Sequence, residues 1–231
     1  VGHLQNTDWT QASDLGIDFV THASPWSTSY LPKHLQKGYR PSFTGRLFWL
    51  ENVDYEGPEI TAMVKAMKEN NVSVDPTLIA FHTKFWGDDS MYRHGDHLKY
   101  APPFMIDNWN RVTFVDHWKP EDFERARKQW PKLLALTKLM YDNGILVTAG
   151  SDLPNPWVVP GISIHQELEL FVEAGIEPLE VIRIASLNGA KALGIDKRTG
   201  SIEEGKEADL VFLRKNPAQD IRNTREVEFT L

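Results

Sequence analysis

The chain contains no cysteine. Disulfides, thiolate nucleophiles and cysteine-type zinc sites are therefore excluded together, and any metal must be held by His, Asp and Glu. A cysteine-free chain suits the cytosol without requiring it, so the compartment stays open. Long apolar runs are also missing: none approaches the ~18–20 residues that span a bilayer, and no membrane partner is expected. No basic-then-apolar leader stands at Val1. Excess positive charge is lacking as well. The 25 Lys and Arg are outnumbered by 32 Asp and Glu, for a formal charge of −7. Phosphate partners require clustered cations, so nucleic-acid binding is not the expected purpose. There is no internal repeat and no low-complexity tract.

What remains is an ordinary globular composition. Of 231 residues, 41% are hydrophobic and 25% charged, which fits one or two folded domains. All eight Trp lie between Trp9 and Trp157, mostly in loop-like sequence.

Asp8 through Leu15 reads as a short helix with Asp8 as N-cap, closed by Gly16. Ile17 to His22 follows as a buried strand. Residues 23–57 show no sustained periodicity and read as loop. Glu59–Asn70 is a helix, since Ile60, Met63, Val64 and Met67 recur at helical spacing behind Pro58. Val72–Ile79 reads as a strand disturbed by Pro76. Residues 80–119 again look irregular, aromatic and rich in His. Glu121–Asp142 is a long helix kinked or split at Pro131. Ile145–Gly150 is a fully apolar strand of the parallel-sheet kind. Helices are expected over 164–174 and 178–193, then a strand near Asp209–Leu213.

This alternation is the rhythm of βαβ units in one parallel sheet. Four barrel-type strands end near His3, His22, Ile79 and Asp152, about half of a (β/α)8 barrel. Ligands and catalysis in such sheets gather at the C-terminal strand ends. His3, His22 and Asp152 are ligand types suited to Zn²⁺ or a similar divalent ion. Metal-assisted hydrolysis is the chemistry such a set performs: the ion acidifies a bound water and polarises a carbonyl, while a carboxylate takes the water's proton. Taken alone, each histidine also fits a hydrogen-bonded structural role, and Asp152 also fits an N-cap.

From Ile145 onward the sequence resembles the C-terminal part of the amidohydrolase superfamily, near its imidazolonepropionase-like and Xaa-Pro-dipeptidase-like members. The residues that carry the resemblance are Val147-Thr148-Ala149-Gly150-Ser151-Asp152, His165-Gln166-Glu167-Leu168-Glu169-Leu170 and Ala174-Gly175-Ile176-Glu177-Pro178-Leu179-Glu180. They continue through Ala185-Ser186-Leu187-Asn188-Gly189-Ala190-Lys191-Ala192-Leu193-Gly194 and the stretch from Gly200 to Val211. Upstream, Gly2-His3 resembles the fifth-strand metal histidine, and Gly16 to His22 resembles the sixth-strand motif ending in a second one.

The resemblance implies an α/β fold: the C-terminal half of a (β/α)8 TIM-type barrel over residues 1–196, then part of a small accessory β-domain over 197–231. It implies that His3, His22 and Asp152 bind one or two divalent ions, zinc foremost, and that Asp152 is the general base. The implied activity is hydrolysis of a C–N bond in an amide, cyclic amide or dipeptide-like small molecule. The family's first-strand His-x-His pair and fourth-strand ligand have no counterpart here, so the N-terminal half of the barrel is an expected partner, in the same or a separate chain. Homo-oligomerisation is compatible with this reading. The rival reading is a catalytically silent structural or assembly subunit.

Further candidates come from the residues themselves. His165, Trp26, Tyr30 and Trp157 are candidate substrate contacts, the aromatics as pocket walls. Arg46 and Arg93 could meet a substrate carboxylate bidentately. His94-Gly95-Asp96-His97 has metal-binding residue types, although a solvated loop explains it as well.

Overall fold

The computed structural model describes residues 1–231, a mixed α/β chain. Asp8 caps the first helix, Trp9–Asp14, by accepting from the amides of Thr10 at 2.8 Å and Gln11 at 3.2 Å. Gly16, at φ +88°, then turns the chain where a Cβ would be strained. It leads into β1 (Phe19–Thr21), which pairs in parallel with β2 (Ser73–Asp75) in the register Phe19 to Ser73, Val20 to Val74 and Thr21 to Asp75. Single parallel bridges add Gly2 beside Val20 and Val147 beside Val74. Four parallel staves therefore lie in the spatial order Gly2, β1, β2, Val147. Val20, Val74 and Val147 are all buried and form one row through the core.

Helices carry the chain from stave to stave. Ile60, Met63, Val64 and Met67 of Pro58–Glu69 are buried, as their spacing predicts. Pro120–Asp142 runs unbroken through Pro131 and buries Leu133, Leu136 and Met140. Ile162–Glu173 and Pro178–Arg183 follow the last stave. The latter continues through a π-helical turn, Ile184–Asn188, from which Asn188 Nδ2 donates to the Val147 carbonyl at 2.9 Å. That wide turn supplies a partner for a backbone oxygen at the sheet's rim.

The strands are shorter than their apolar runs predict. The run expected over Val72–Ile79 pairs only over Ser73–Asp75, because Pro76 has no N–H and Thr77 turns left-handed into the helix Leu78–Phe85. Ile145–Gly150 makes one bridge, at Val147. Residues 23–57 and 80–119 are not irregular: they contain Lys33–Gln36, Phe43–Asn52, Ser90–His94 and Pro103–Trp109 as helices. These pieces are too short and aromatic to show a helical period, and tertiary packing selects them. The tail forms an antiparallel pair, β3 (Val211–Leu213) with β4 (Val227–Thr230), on which Phe212 stacks on Phe229 at 4.2 Å. No helix is long and apolar enough to cross a membrane.

Candidate functional site

Each stave delivers polar residues at its C-terminal end: His3 after Gly2, His22 after β1, Asp75 and Thr77 at β2, and Asp152 beyond Val147. Three of these are non-glycine residues with left-handed backbones, His22 at φ 80°, Thr77 at 48° and Asp152 at 56°. Such conformations cost about 1–3 kcal/mol each and persist where surrounding contacts enforce them.

The two histidines converge. His22 Nε2 lies 2.7 Å from His3 Nδ1, with the rings edge to face. The other nitrogen of His22, Nδ1, lies 2.8 Å from Thr77 Oγ1. Burial pushes His22 down to about 3, and His3, Lys84 and Arg46 add positive charge in the same direction. Its ring is therefore neutral at ordinary pH. The 3.9 Å approach of Asp152 Oδ2 to His22 Nδ1 is consequently not an ion pair.

Asp152 is half-buried. Burial raises its carboxyl above the usual range, opposed by Lys84, His3 and a hydrogen bond from Asn155. Asn155 Nδ2 donates to Asp152 Oδ2 at 2.6 Å, while Asn155 Oδ1 accepts from Lys84 Nζ at 2.9 Å. Lys84 also donates to the Ala80 carbonyl at 2.9 Å. Its ammonium is enclosed, and burial lowers it to about 7, with Asp152 opposing and Arg46 assisting.

A second acidic group braces the rim from beneath. Glu167 is fully buried and accepts from the amides of Leu78 at 2.8 Å and Ile79 at 2.6 Å. It thereby satisfies the free N–H groups where the Leu78–Phe85 helix begins. Burial holds its carboxyl well above the ordinary range, with Asp75 adding repulsion and the two amides opposing. Asp75 accepts from Thr77 N at 3.3 Å, and burial raises its carboxyl to about 6. Gly150 passes so close that a Cβ there would run into the Asp75 carboxylate. Glu167, Asp75 and Thr77 thus form one continuous support beneath His22.

The other predicted contacts lie in several places. Trp26 is buried against Trp49 and Phe81, and Phe81 in turn meets the His22 ring edge to face at 6.1 Å. The Tyr30 hydroxyl is engaged with Asp8 and the amides of Trp9 and Thr10 at the first helix. Trp157 belongs to a satellite cluster with Tyr92, Ala101, Trp109 and Val159, with Arg93 over its ring at 5.0 Å. His165 Nδ1 is 2.9 Å from Thr224 Oγ1 of the tail. His82 stacks on Trp86 and meets the Tyr92 hydroxyl at 2.5 Å, a packed aromatic arrangement. His94, Asp96 and His97 form no metal-binding group.

Thr77, Lys84, Asn155 and Glu167 are absent from the sequence-based candidates. Two left a detectable trace. Glu167 falls on the apolar face with Ser163, Leu170 and Phe171, and Lys84 shares a buried helix face with Phe81 and Phe85. A charge inside an apolar stripe requires a specific partner.

The donor chemistry at His3 and His22 suits a divalent ion, because imidazole nitrogens are ligands for zinc and similar ions and these two converge at neighbouring strand ends. The donor count does not complete a shell, because no group of three His, Asp or Glu is assembled.

Comparison with known proteins agrees with this architecture. Residues 125–230 match the amidohydrolase family, a span that includes Asp152 and Glu167 but neither His3 nor His22. The ochratoxinase of Aspergillus niger is 33% identical over 110 residues, covering 44% of this chain and 22% of that protein. The imidazolonepropionase of Pseudomonas aeruginosa (strain UCBPP-PA14) is 30% identical over 138 residues, covering 59% of this chain and 32% of that protein. The crystal structure of a Xaa-Pro dipeptidase with bound methionine in its active site superposes with a TM-score of 0.57 at 21% identity. That superposition covers 96% of this chain and 40% of the dipeptidase. The matches thus span about a fifth to a third of the curated relatives' length. Together these likenesses make residues 125–230 similar to the amidohydrolase family, and the chain as a whole shares the fold of part of the dipeptidase.

Proposed function

We propose that the chain supplies strands five to eight of a (β/α)8 barrel, over residues 1–196, to a metal-dependent hydrolase of C–N bonds, with 197–231 opening an accessory β-domain. The observation that carries this reading is the convergence of His22 Nε2 on His3 Nδ1 at neighbouring parallel strand ends, with Asp152 on the same rim. The substrate is a small amide, cyclic amide or dipeptide.

In this reading His3 and His22 hold a divalent ion, zinc foremost, together with donors from the barrel's N-terminal half. A bound ion supplies Lewis acidity for the carbonyl and makes a water at the site more acidic. Thr77 Oγ1 would accept a hydrogen bond from the N–H of His22 Nδ1, which would leave Nε2 as the nitrogen available to hold the ion. Asp152 accepts the proton of the attacking water, and the raised basicity that burial gives it favours that transfer. It then returns the proton to the leaving nitrogen. Asn155 fixes the carboxylate through Oδ2, and Lys84 orients Asn155 from behind.

The test combines metal content with turnover. Protein that includes the barrel's N-terminal half is supplied with Zn²⁺, Co²⁺ or Mn²⁺, its bound metal is counted, and hydrolysis is followed on Xaa-Pro dipeptides and on hydantoin- or imidazolone-like rings. Asp152→Ala is expected to lower kcat by at least about 1,000-fold while the circular dichroism spectrum is retained. Near-normal turnover in that variant would remove Asp152 from the mechanism. The silent-subunit reading draws support from the incomplete donor set, and it predicts protein without stoichiometric metal.

A further inference from the structure

The segment that carries Asp152 has little means of holding itself. In Asp152-Leu153-Pro154-Asn155-Pro156-Trp157, two of six residues have no N–H to donate. Within it one backbone bond closes, from Asn155 N to the Asp152 carbonyl at 3.0 Å. Both of its ends, Asp152 at φ 56° and Trp157 at 60°, take the left-handed backbone that non-glycine residues avoid. Such a segment keeps its shape only where other elements impose it.

Three side chains impose it, and all come from one stretch, residues 84–109. Lys84 Nζ donates to Asn155 Oδ1 at 2.9 Å. The indole N–H of Trp109, at the end of the helix Pro103–Trp109, donates to the Pro154 carbonyl at 2.9 Å. Arg93 lies over the Trp157 ring at 5.0 Å, while its Nε donates to the Gly87 carbonyl at 2.7 Å and so fixes it to its own stretch. Trp157 and Val159 complete a satellite core with Tyr92, Ala101 and Trp109, apart from the main core around the sheet. We propose that residues 84–109 form a clamp that sets the conformation of the Asp152 loop, with Trp109 as its positioning residue. The catalytic consequence rests on the hydrolase reading above, whereas the clamp itself does not.

Of the three contacts, the one to Pro154 bears most directly on the loop backbone. A hydrogen bond from a buried indole fixes both the distance and the direction of the carbonyl that accepts it. Pro154 lies two residues past Asp152, so a shift of its carbonyl reaches the carboxylate through a short link stiffened by the proline ring. A misplacement of about 1 Å in a reacting group costs on the order of 100-fold in rate. Trp118 supplies the contrast. It is buried as well, against Phe85 and Phe123, yet its Nε1 has no partner. Trp118→Phe therefore removes indole bulk from the interior without removing a hydrogen bond.

The experiment reads the loop and the turnover separately, in zinc-supplied protein that includes the barrel's N-terminal half. The variants are Trp109→Phe, Trp118→Phe and a shape-matched replacement of Trp109 by benzothienylalanine, whose ring sulfur takes the place of the N–H. Hydrogen exchange is followed at the Asn155 and Val158 amides, which donate to the carbonyls of Asp152 and Asn155. Amides of the Pro120–Asp142 helix supply the reference for global stability. Both Trp109 replacements are expected to speed exchange at the two loop amides by about tenfold beyond that reference. On the dipeptides and rings named above, kcat should fall by about 10–100-fold while KM stays within about threefold. Trp118→Phe should leave the loop amides and kcat at their wild-type values. Unchanged exchange in either Trp109 replacement overturns the clamp, as does equal loosening in Trp118→Phe. A loosened loop with unchanged kcat overturns the positioning role of Trp109. A loosened loop in protein whose wild type turns over none of these substrates upholds the clamp and removes the hydrolase reading.

Discussion

Removing the Glu167 carboxylate tests the bracing of the site most directly. In Glu167→Ala the amides of Leu78 and Ile79 lose acceptors at 2.8 and 2.6 Å in a fully buried position. An orphaned buried N–H costs about 1–3 kcal/mol, so the two together set a gross loss of about 2–6 kcal/mol. Relief from burying a charge offsets part of it, as does any water that enters the vacated space. The expected net destabilisation is about 3 kcal/mol. Glu167→Gln keeps one acceptor oxygen but sets an NH₂ against the second amide, and about half that loss is expected. Urea unfolding should show a lower midpoint at unchanged slope. Hydrogen exchange supplies the local reading: the Leu78 and Ile79 amides should lose more protection than the global change accounts for. The folded-state pKa of Glu167 is raised, so the native state binds the proton more readily than the unfolded chain. Stability therefore falls as pH climbs from the unfolded value of 4.5 toward the folded one, and Glu167→Gln should remove that slope. A loss in Glu167→Ala below about 0.5 kcal/mol, with both amides still protected, would show that the clasp does not support the rim.

Thr77→Val keeps the branched shape but removes the partner of His22 Nδ1. Zinc affinity by equilibrium dialysis should drop by about tenfold and be restored in Thr77→Ser, and unchanged affinity in the valine variant would show that the hydroxyl does not orient the ring. Lys84 is depressed from 10.5 to about 7, so the native state releases its proton before the unfolded chain does. Its contribution to stability is therefore full above the unfolded pKa and is lost as pH falls toward 7. Lys84→Met should gain on the wild type by up to a few kcal/mol between pH 10 and pH 7 in denaturant titrations, and parallel pH curves would refute the depressed pKa.

Local signals revealed what local forces decide. Asp8 as a cap and the stripe of Ile60, Met63, Val64 and Met67 are properties of one segment, and they appear in the fold within a residue or two of their predicted places. The strands were overestimated because an apolar run marks burial, whereas pairing at Val147 depends on a neighbour 73 positions earlier in the chain, Val74. The same limit applies to the site. His3, His22 and Asp152 stand out as polar groups ending apolar runs. Lys84 and Glu167 acquire their roles from partners 71 and 89 positions away, Asn155 and Leu78, and no window of sequence contains both members. Thr77 looks like an ordinary turn residue until its left-handed backbone brings the hydroxyl to His22.

The staves that carry His3, His22 and Asp152 are joined by very few pairings, one residue on each outer side. A slip of one position in a parallel ladder shifts a strand by about 3.3 Å and turns every side chain to the opposite face. Such a slip at Gly2 would leave most of the apolar core in place yet carry the His3 ring away from His22. The two imidazoles therefore act as a vernier on the sheet. An ion held between them would clamp the alignment of strands whose own hydrogen bonds specify it only weakly. Metal binding and strand order would then be two readings of the same free energy, and depleting the metal should loosen the rim before it unfolds the helices.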